Sequence, residues 1–290
     1  MKTILLTGAT GFLGSHLLEA LLKEGYAVVI LKRSTSNTWR IQFLLDQVKA
    51  YDVDCQPLEN AFKEQRIDAV IHTACQYGRN GEPTHQMVES NLLFGLKLLD
   101  AATFFNTDTF FNTDTLLQKH LNAYTLSKKQ FVEWLRQQSE KIQVVNLKLE
   151  HMYGPKDDNT KFVPWIIDQL ERQVAEIKLT KGEQERDFVY IDDVVSAYLL
   201  VLKKTAQMGC FTEFDVGTGR LTTVRNFVEA LNTAYESRYG KSHTVLNFGA
   251  LPYRAGEMMT IKVDNTLLTD LGWAANISIP TGITEIIRLK

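Results

Sequence analysis

Cysteine is scarce in this chain: three residues in 290, Cys55, Cys75 and Cys210, with no CxxC spacing. An odd number of widely spaced thiols excludes a disulfide framework, and nothing in their spacing suggests zinc or another metal. An excess of one charge is lacking too. Thirty-two Lys and Arg stand against 34 Asp and Glu, a net charge of −2, so no bulk field favours nucleic acid or an anionic membrane as partner. No apolar run reaches the ~18–20 residues that cross a bilayer. The first residues, MKTILLTGATGFLG, resemble a short signal peptide, but the apolar run leads into a glycine loop and a helical pattern instead of a cleavage site. A buried first strand and a cytoplasmic location are therefore expected. What is present is ordinary globular composition, 44% hydrophobic and 23% charged. At this length, one large domain with a smaller lobe is the natural arrangement.

The first half alternates strand and helix patterns. Strands are expected at Thr3–Thr7, Tyr26–Leu31, Asp68–Thr73, Thr109–Asn112 and Gln143–Leu149. Helices are expected at Ser15–Lys23, Leu58–Gln65, Glu89–Ala102 and Ala123–Gln137. Continuous β-branched strands separated by helices imply a doubly wound parallel sheet of the Rossmann type, in the α/β class. A tandem repeat, FFNTDT at 104–109 and again at 110–115, is far shorter than a solenoid period of ~20 residues. Its first copy is read as the loop after a helix, its second as strand and site. After Tyr153-Gly154-Pro155 the pattern loosens, with helical segments at Phe162–Gln173, Asp193–Lys204 and Val224–Tyr239. The expected division is a dinucleotide-binding domain over 1–155, with a return segment at about 186–204, and a smaller C-terminal α/β substrate-binding lobe over 156–290.

Three motifs carry chemistry. Gly8-Ala9-Thr10-Gly11-Phe12-Leu13-Gly14 is a glycine loop between strand and helix. Such a loop lets the backbone approach a pyrophosphate, while the helix N-terminus offers free N–H groups and a positive dipole end. Gly8, Thr10, Gly11, Phe12, Leu13 and Gly14 are thus candidate cofactor contacts, joined by Thr73 and Ala74 at a later strand end. At the end of the second strand an acidic residue would suit the ribose hydroxyls of NAD, and basic residues the 2′-phosphate of NADP. The chain has Lys32 and Arg33 there, so NADP(H) is favoured, with NAD(H) the alternative. Finally, Tyr124 and Lys128 stand at i and i+4 on one helix face. A neighbouring ammonium and the cofactor's positive charge would favour the tyrosinate, making Tyr124 a usable acid or base.

TGATGFLG, DAVIHTA (68–74), Asn91, the YxxxK helix, MYGP (152–155), RDFVYIDDV (186–194), FDVGTG (214–219) and Arg254-Ala255-Gly256-Glu257 follow one another along the chain. In that order they resemble the extended short-chain dehydrogenase/reductases: the nucleotide-sugar epimerases, dehydratases and 4-ketoreductases. The resemblance runs from residue 3 to about residue 285. It implies a catalytic group of Tyr124, Lys128 and Thr113. Thr113 rests on setting Asn112-Thr113-Asp114-Thr115 against the STDE segment of the 4,6-dehydratases, and Thr115 is the alternative. Thr115 stands where the dehydratases carry a glutamate, which argues against water elimination. Where many relatives read NVYGP this chain has His151-Met152, and His151 is equally a substrate ligand or a structural histidine. Arg254 resembles the arginine that grips the substrate diphosphate. Arg186, Tyr77 and Thr115 complete the candidate substrate contacts, with Gly78, Arg79 and Asn80 as further residues near the sugar. The stretch 74–91 is similar to bacterial reductases that make CDP-paratose or CDP-abequose, sugars of O-antigens; dTDP-sugar reductases look similar.

The function implied is NADPH-dependent 4-ketoreduction of a nucleotide-activated 4-keto-deoxyhexose (a CDP- or dTDP-sugar) for bacterial surface polysaccharide. The alternatives are an epimerase that retains NAD and a non-catalytic dinucleotide sensor. A homodimer through helices Glu89–Ala102 and Ala123–Gln137 is expected by the same resemblance.

Overall fold

A computed structural model describes every residue except Asn80, Ala255 and Lys290. Two of these, Asn80 in the sugar-contact stretch and Ala255 beside Arg254, were part of expected motifs and lie outside the described residues. The chain forms two compact units: Met1–Leu149 with Val195–Asp215, and Glu150–Val194 with Val216–Lys290.

The first unit is built on one seven-stranded sheet. Its strands, numbered along the chain, are β1 (Thr3–Thr7), β2 (Ala27–Lys32), β3 (Lys49–Asp52), β4 (Ala69–His72), β5 (Thr109–Thr115), β6 (Gln143–Leu149) and β11 (Phe211–Val216), in the spatial order β11-β6-β5-β4-β1-β2-β3. The pairs from β3 through β6 are all parallel. This is the doubly wound order, whose direction of growth reverses between β1 and β4, and ligands bind at the carboxyl ends of strands at such a point. Runs such as Ile4-Leu5-Leu6 and Phe110-Phe111 are buried without alternation because helices cover both faces. The side chains of β5 show this. Phe110 meets Phe131 of helix α5 (Ala123–Gln138) edge-on at 6.2 Å, while Thr113 bonds Tyr198 of α7 (Ile191–Lys203). Odd and even positions of one strand therefore face different helices.

Helix α1 (Phe12–Lys23) starts three residues earlier than its apolar spacing suggested, inside the glycine loop. The expected Leu58–Gln65 helix shrinks to one turn, α2 (Asn60–Lys63). The expected Glu89–Ala102 helix runs longer and in three pieces: α3 (Thr84–Val88) after Pro83, a π-helical turn over Glu89–Leu93, and α4 (Phe94–Phe104). Helix α5 opens with a capping box in which Asn122 and Thr125 exchange side chain–backbone bonds. Two strands of this sheet, β3 and β11, were not anticipated. Lys49-Ala50-Tyr51-Asp52 is a polar edge strand with a single buried side chain, so it carries almost no periodic signal.

The second unit holds three two-stranded sheets: β7 (His151–Tyr153) with β10 (Phe188–Tyr190), β9 (Glu185–Arg186) with β12 (Thr222–Thr223), and β8 (Glu176–Leu179) with β13 (Val245–Phe248). Helices α6 (Phe162–Glu171), α8 (Val224–Tyr239), α9 (Thr266–Asp270) and α10 (Ile279–Arg288) accompany them. Phe188 and Phe227 stack at 3.8 Å and Tyr153 meets Phe227 edge-on, forming an aromatic centre. Much of the rest is organised by two buried acids. Asp187 accepts from the N–H and hydroxyl of Thr218 and from Gly219 N–H, and Asp193 accepts from the N–H groups of Asn276 and Ile277.

Candidate active site

In the first unit the glycine loop joins β1 to α1 at the topological switch point. Gly8 has φ +70°, and a Cβ there would stand 2.6 Å from Thr73 Oγ1 and 2.7 Å from Ala74 N. A Cβ on Gly14 would run into the carbonyl of Gly8. Only glycine fits either place. The hydroxyl of Thr73 donates to Thr7 O at 2.8 Å, and Ala74 N–H donates to Thr7 Oγ1 at 3.3 Å, so the ends of β1 and β4 are tied together beside the loop. Gly11 caps α1 without any side-chain acceptor on its first N–H groups. This is a cradle of backbone donors suited to a pyrophosphate.

At the end of β2, Arg33 is exposed and Lys32 lies 3.5 Å from Asp52 at the end of β3. Ser34 also donates to Asp52, and that bond, followed by the pull of its other partners, holds the Asp52 carboxyl below its ordinary value. The sequence alone predicts a basic corner here. The structure adds a carboxylate from a strand that the reading had not placed, a mixed environment where a basic one was expected. Arg40 reaches from the same connection to Thr10 O at 3.3 Å.

Tyr124 and Lys128 share one face of α5, as their spacing required. The Tyr124 ring lies 5.0 Å from that of Tyr77, over which Arg79 sits at 5.0 Å. Lys128 is 2% exposed, and its ammonium makes no hydrogen bond to any described residue. Burial is the main influence on both groups: it pushes the Tyr124 phenol up and the Lys128 ammonium down. In the protein alone the proton stays on Tyr124, because desolvation disfavours the phenolate. Below the pair lies a buried network. Asn91, in the π-helical turn, accepts from Gln76 N–H and donates to Gln76 O and to Ser127 Oγ, and Ser127 donates to Tyr124 O. His72 is fully buried, bonded through Nδ1 to Thr7 Oγ1, and held neutral with its pKa pushed down to about 3 by burial and then by the Lys128 charge.

Thr113 makes no hydrogen bond to Tyr124 or Lys128 among the described residues. Its hydroxyl lies 2.7 Å from Tyr198 on the α7 side of β5, whereas α5 meets β5 through Phe110 and Asp114. The physical reason is the two-residue alternation of a strand. Thr115, at the strand end, accepts from Leu117 N–H and so keeps its own hydroxyl proton to donate. Between the two, Asp114 is almost wholly buried and paired with Lys129 at 2.6 Å. The reading had not singled out Asp52, Asp114, Ser127 or Gln76. Of these, only the Asp in a Thr-Asp-Thr strand end gave a sequence signal.

In the second unit, His151 bonds Glu150, and Arg186 is engaged with Glu257 and with Glu185 O. In the protein alone Arg186 therefore stands in an ion pair. Arg254 is exposed, and its guanidinium makes no hydrogen bond to a described residue.

Residues 4–217 match the model of the NAD dependent epimerase/dehydratase family. The chain belongs to this family. It is 34% identical to a CDP-abequose synthase of Salmonella muenchen over all of this chain and 98% of the relative. A CDP-abequose synthase of Salmonella typhimurium is 35% identical over 98% and 97% of the two chains. Among solved structures, the UDP-glucose 4-epimerase of Thermotoga maritima superposes with a TM-score of 0.84 over 99% of this chain and 98% of its own, at 24% identity. That likeness concerns the fold. The chain is thus an extended short-chain dehydrogenase/reductase and an NAD(P)-dependent enzyme of oxidoreductase type. The residues fit its nicotinamide dinucleotide: a glycine cradle that a Cβ would fill, and a buried ammonium, Lys128, with no hydrogen bond to any described residue.

Proposed function

We propose that this enzyme reduces the C4 ketone of a nucleotide-activated 4-keto-deoxyhexose, a CDP- or dTDP-sugar, with NADPH, in the making of bacterial surface polysaccharide. The observation that carries the reading is the placement of Tyr124, packed against Tyr77 on the face of α5 that also holds the buried Lys128. A ketoreductase needs an acid at that position, whereas a sugar-oxidising step needs a base. The two full-length relatives named as CDP-abequose synthases support the substrate class.

When bound, the reduced nicotinamide supplies a hydride. Tyr124 gives its phenolic proton to the carbonyl oxygen as charge develops there. Lys128 stabilises that charge and holds the ribose through N–H donors. Thr115 supplies a hydroxyl to the same oxygen, taking the place the sequence had assigned to Thr113. The glycine loop, with Thr73 and Ala74, binds the pyrophosphate, and Lys32 and Arg33 bind the 2′-phosphate. Arg254 holds the substrate diphosphate. Exposed Leu93 of the Glu89–Leu93 turn and Trp134 of α5 support a homodimer through these helices.

Removal of the hydroxyl in Tyr124→Phe is expected to slow NADPH oxidation with 4-keto CDP- or dTDP-sugars about 10²–10⁴-fold with NADPH affinity retained. Wild-type turnover in that variant would sink the assignment. A second reading, an epimerase retaining NAD, is favoured by one observation, the Asp52 carboxylate beside Lys32. Turnover without added cofactor, and NAD(H) carried through purification, would select it. Absence of both activities, with dinucleotide still bound, would select a sensor.

A further inference from the structure

We infer that Lys129 is a positioning residue: by pairing with Asp114 it keeps that carboxylate from drawing the Lys128 ammonium away from the cofactor. The inference rests on the reading above that Lys128 serves the nicotinamide ribose, and it adds what keeps Lys128 available.

The chain sets two lysines in succession on α5 and a buried carboxylate on β5. Successive helical residues point about 100° apart, so the two ammonium groups leave the helix in different directions. Lys128 turns inward, where its ammonium makes no hydrogen bond to any described residue. Lys129 donates to Asp114 Oδ2 at 2.6 Å and to the carbonyl of Thr115. Asn146 donates to the same carboxylate oxygen at 3.4 Å. The other oxygen, Asp114 Oδ1, is buried and accepts from no described residue.

A buried ammonium and a buried carboxylate oxygen, each without a hydrogen bond, attract one another strongly where water is excluded. Burial is the main influence on Lys128; among the groups acting on it, Cys75 and Asp114 favour its charged form and Lys129 opposes it. Asp114 and Lys129 therefore both lie close enough to act on this ammonium. With Lys129 in place the carboxylate belongs to a neutral pair, whose pull falls off faster with distance than that of a bare charge. Take Lys129 away and the carboxylate, 1% exposed, is left without a countercharge. Lys128 is then the cation that compensates it. The carbonyl of Thr115 gives Lys129 a second anchor, so it is held where it neutralises the acid. One lysine occupies the carboxylate, and the other keeps its N–H donors for the ribose.

The test uses the full-length enzyme and calorimetric titration with NADPH, or with NADH if the wild type prefers it. In Lys129→Met the affinity is expected to fall about tenfold or more, and a crystal structure of that variant should show the Lys128 ammonium bonded to Asp114 Oδ1. Adding Asp114→Asn to Lys129→Met removes the competing carboxylate, and affinity should return to within about threefold of wild type. A merely structural bond between α5 and β5 is not restored by deleting its second half. Equal losses in the single and double variants therefore overturn the inference, as does wild-type affinity in Lys129→Met. Should Lys129→Met fail to fold around its bare carboxylate, Asp114→Asn and the double variant decide: both are expected to bind like the wild type, and a tenfold loss in the double variant is the contrary result. Lys128→Met keeps the two claims apart. Wild-type affinity there removes the reading of Lys128 and the inference with it, whereas a loss there without rescue in the double variant refutes the inference alone.

Discussion

The same six residues, FFNTDT, occur twice in immediate succession and fold in two ways. In the first copy, Phe104 ends α4 with 78% of its surface exposed. Asn106 takes φ +55°, and the N–H groups of Asn106 and Thr107 close back onto Thr103 O and Ala102 O. This is a Schellman C-cap with Asn in the left-handed place. In the second copy the whole segment lies in β5, hydrogen-bonded between β4 and β6, with Phe110 and Phe111 fully buried. Asn112 donates to Asn146. Intrinsic preference is identical in the two copies, so the difference comes from what precedes each and what lies beside it. The first follows a helix that needs an end. The second lies where two parallel strands leave a gap, and its phenylalanines fill both faces.

Paired substitutions test this comparison directly. Phe110→Ala is expected to cost about 3–5 kcal/mol of stability, while Phe104→Ala leaves the urea midpoint near wild type. Equal losses would mean that both copies are packed alike. Next in size, Asp114→Ala breaks a pair whose carboxylate is almost wholly buried and whose Lys129 partner also bonds Thr115 O. A loss of about 3 kcal/mol is expected. Its counterpart Asp108 pairs with an exposed Arg66, and Asp108→Ala should leave the midpoint unmoved.

The second copy also lies against a buried histidine. His72 pairs with Asn112 across the strands, and its pKa is pushed down to about 3. The unfolded chain binds a proton at this residue below about 6.5 and the folded one does not. Its contribution to stability is therefore complete above about pH 6.5 and is lost as pH falls toward 3. Urea midpoints measured against pH should show a shallower acid slope in His72→Asn; an unchanged slope would mean that the ring is not held neutral.

The smallest contrast is between the threonines. Thr113 shares a hydrogen bond with Tyr198, whereas Thr107 Oγ1 is buried without a partner. Thr113→Val should cost about 1 kcal/mol, and Thr107→Val should be neutral or slightly stabilising. The turnover of Thr113→Val should stay within a few-fold of wild type. A hundredfold loss would restore Thr113 to the catalytic group.

Much of the fold was legible. The extents of β1 and β6 and the doubly wound parallel class of the sheet follow from buried runs and glycine punctuation, signals that one strand or one loop carries by itself. The glycine loop, Lys128 and Tyr124 are local motifs of the same kind. What stayed hidden depends on partners far along the chain. Asp52 reaches Lys32 from a polar edge strand, and Asn91 bonds both Gln76, 15 residues before it, and Ser127, 36 residues after it. In the second unit, Asp187 and Asp193 organise loops by accepting backbone N–H groups, and no periodicity announces that.

By itself the sequence determined the fold class, the dinucleotide cradle and the tyrosine–lysine pair, because spacing along one helix or one turn is a property of neighbouring residues. The tertiary structure decided which face of β5 each hydroxyl takes, how deeply the tyrosine–lysine pair is buried, and which of two identical hexapeptides becomes a strand. Those outcomes depend on burial and on partners supplied by other segments, and identical local sequences do not contain them.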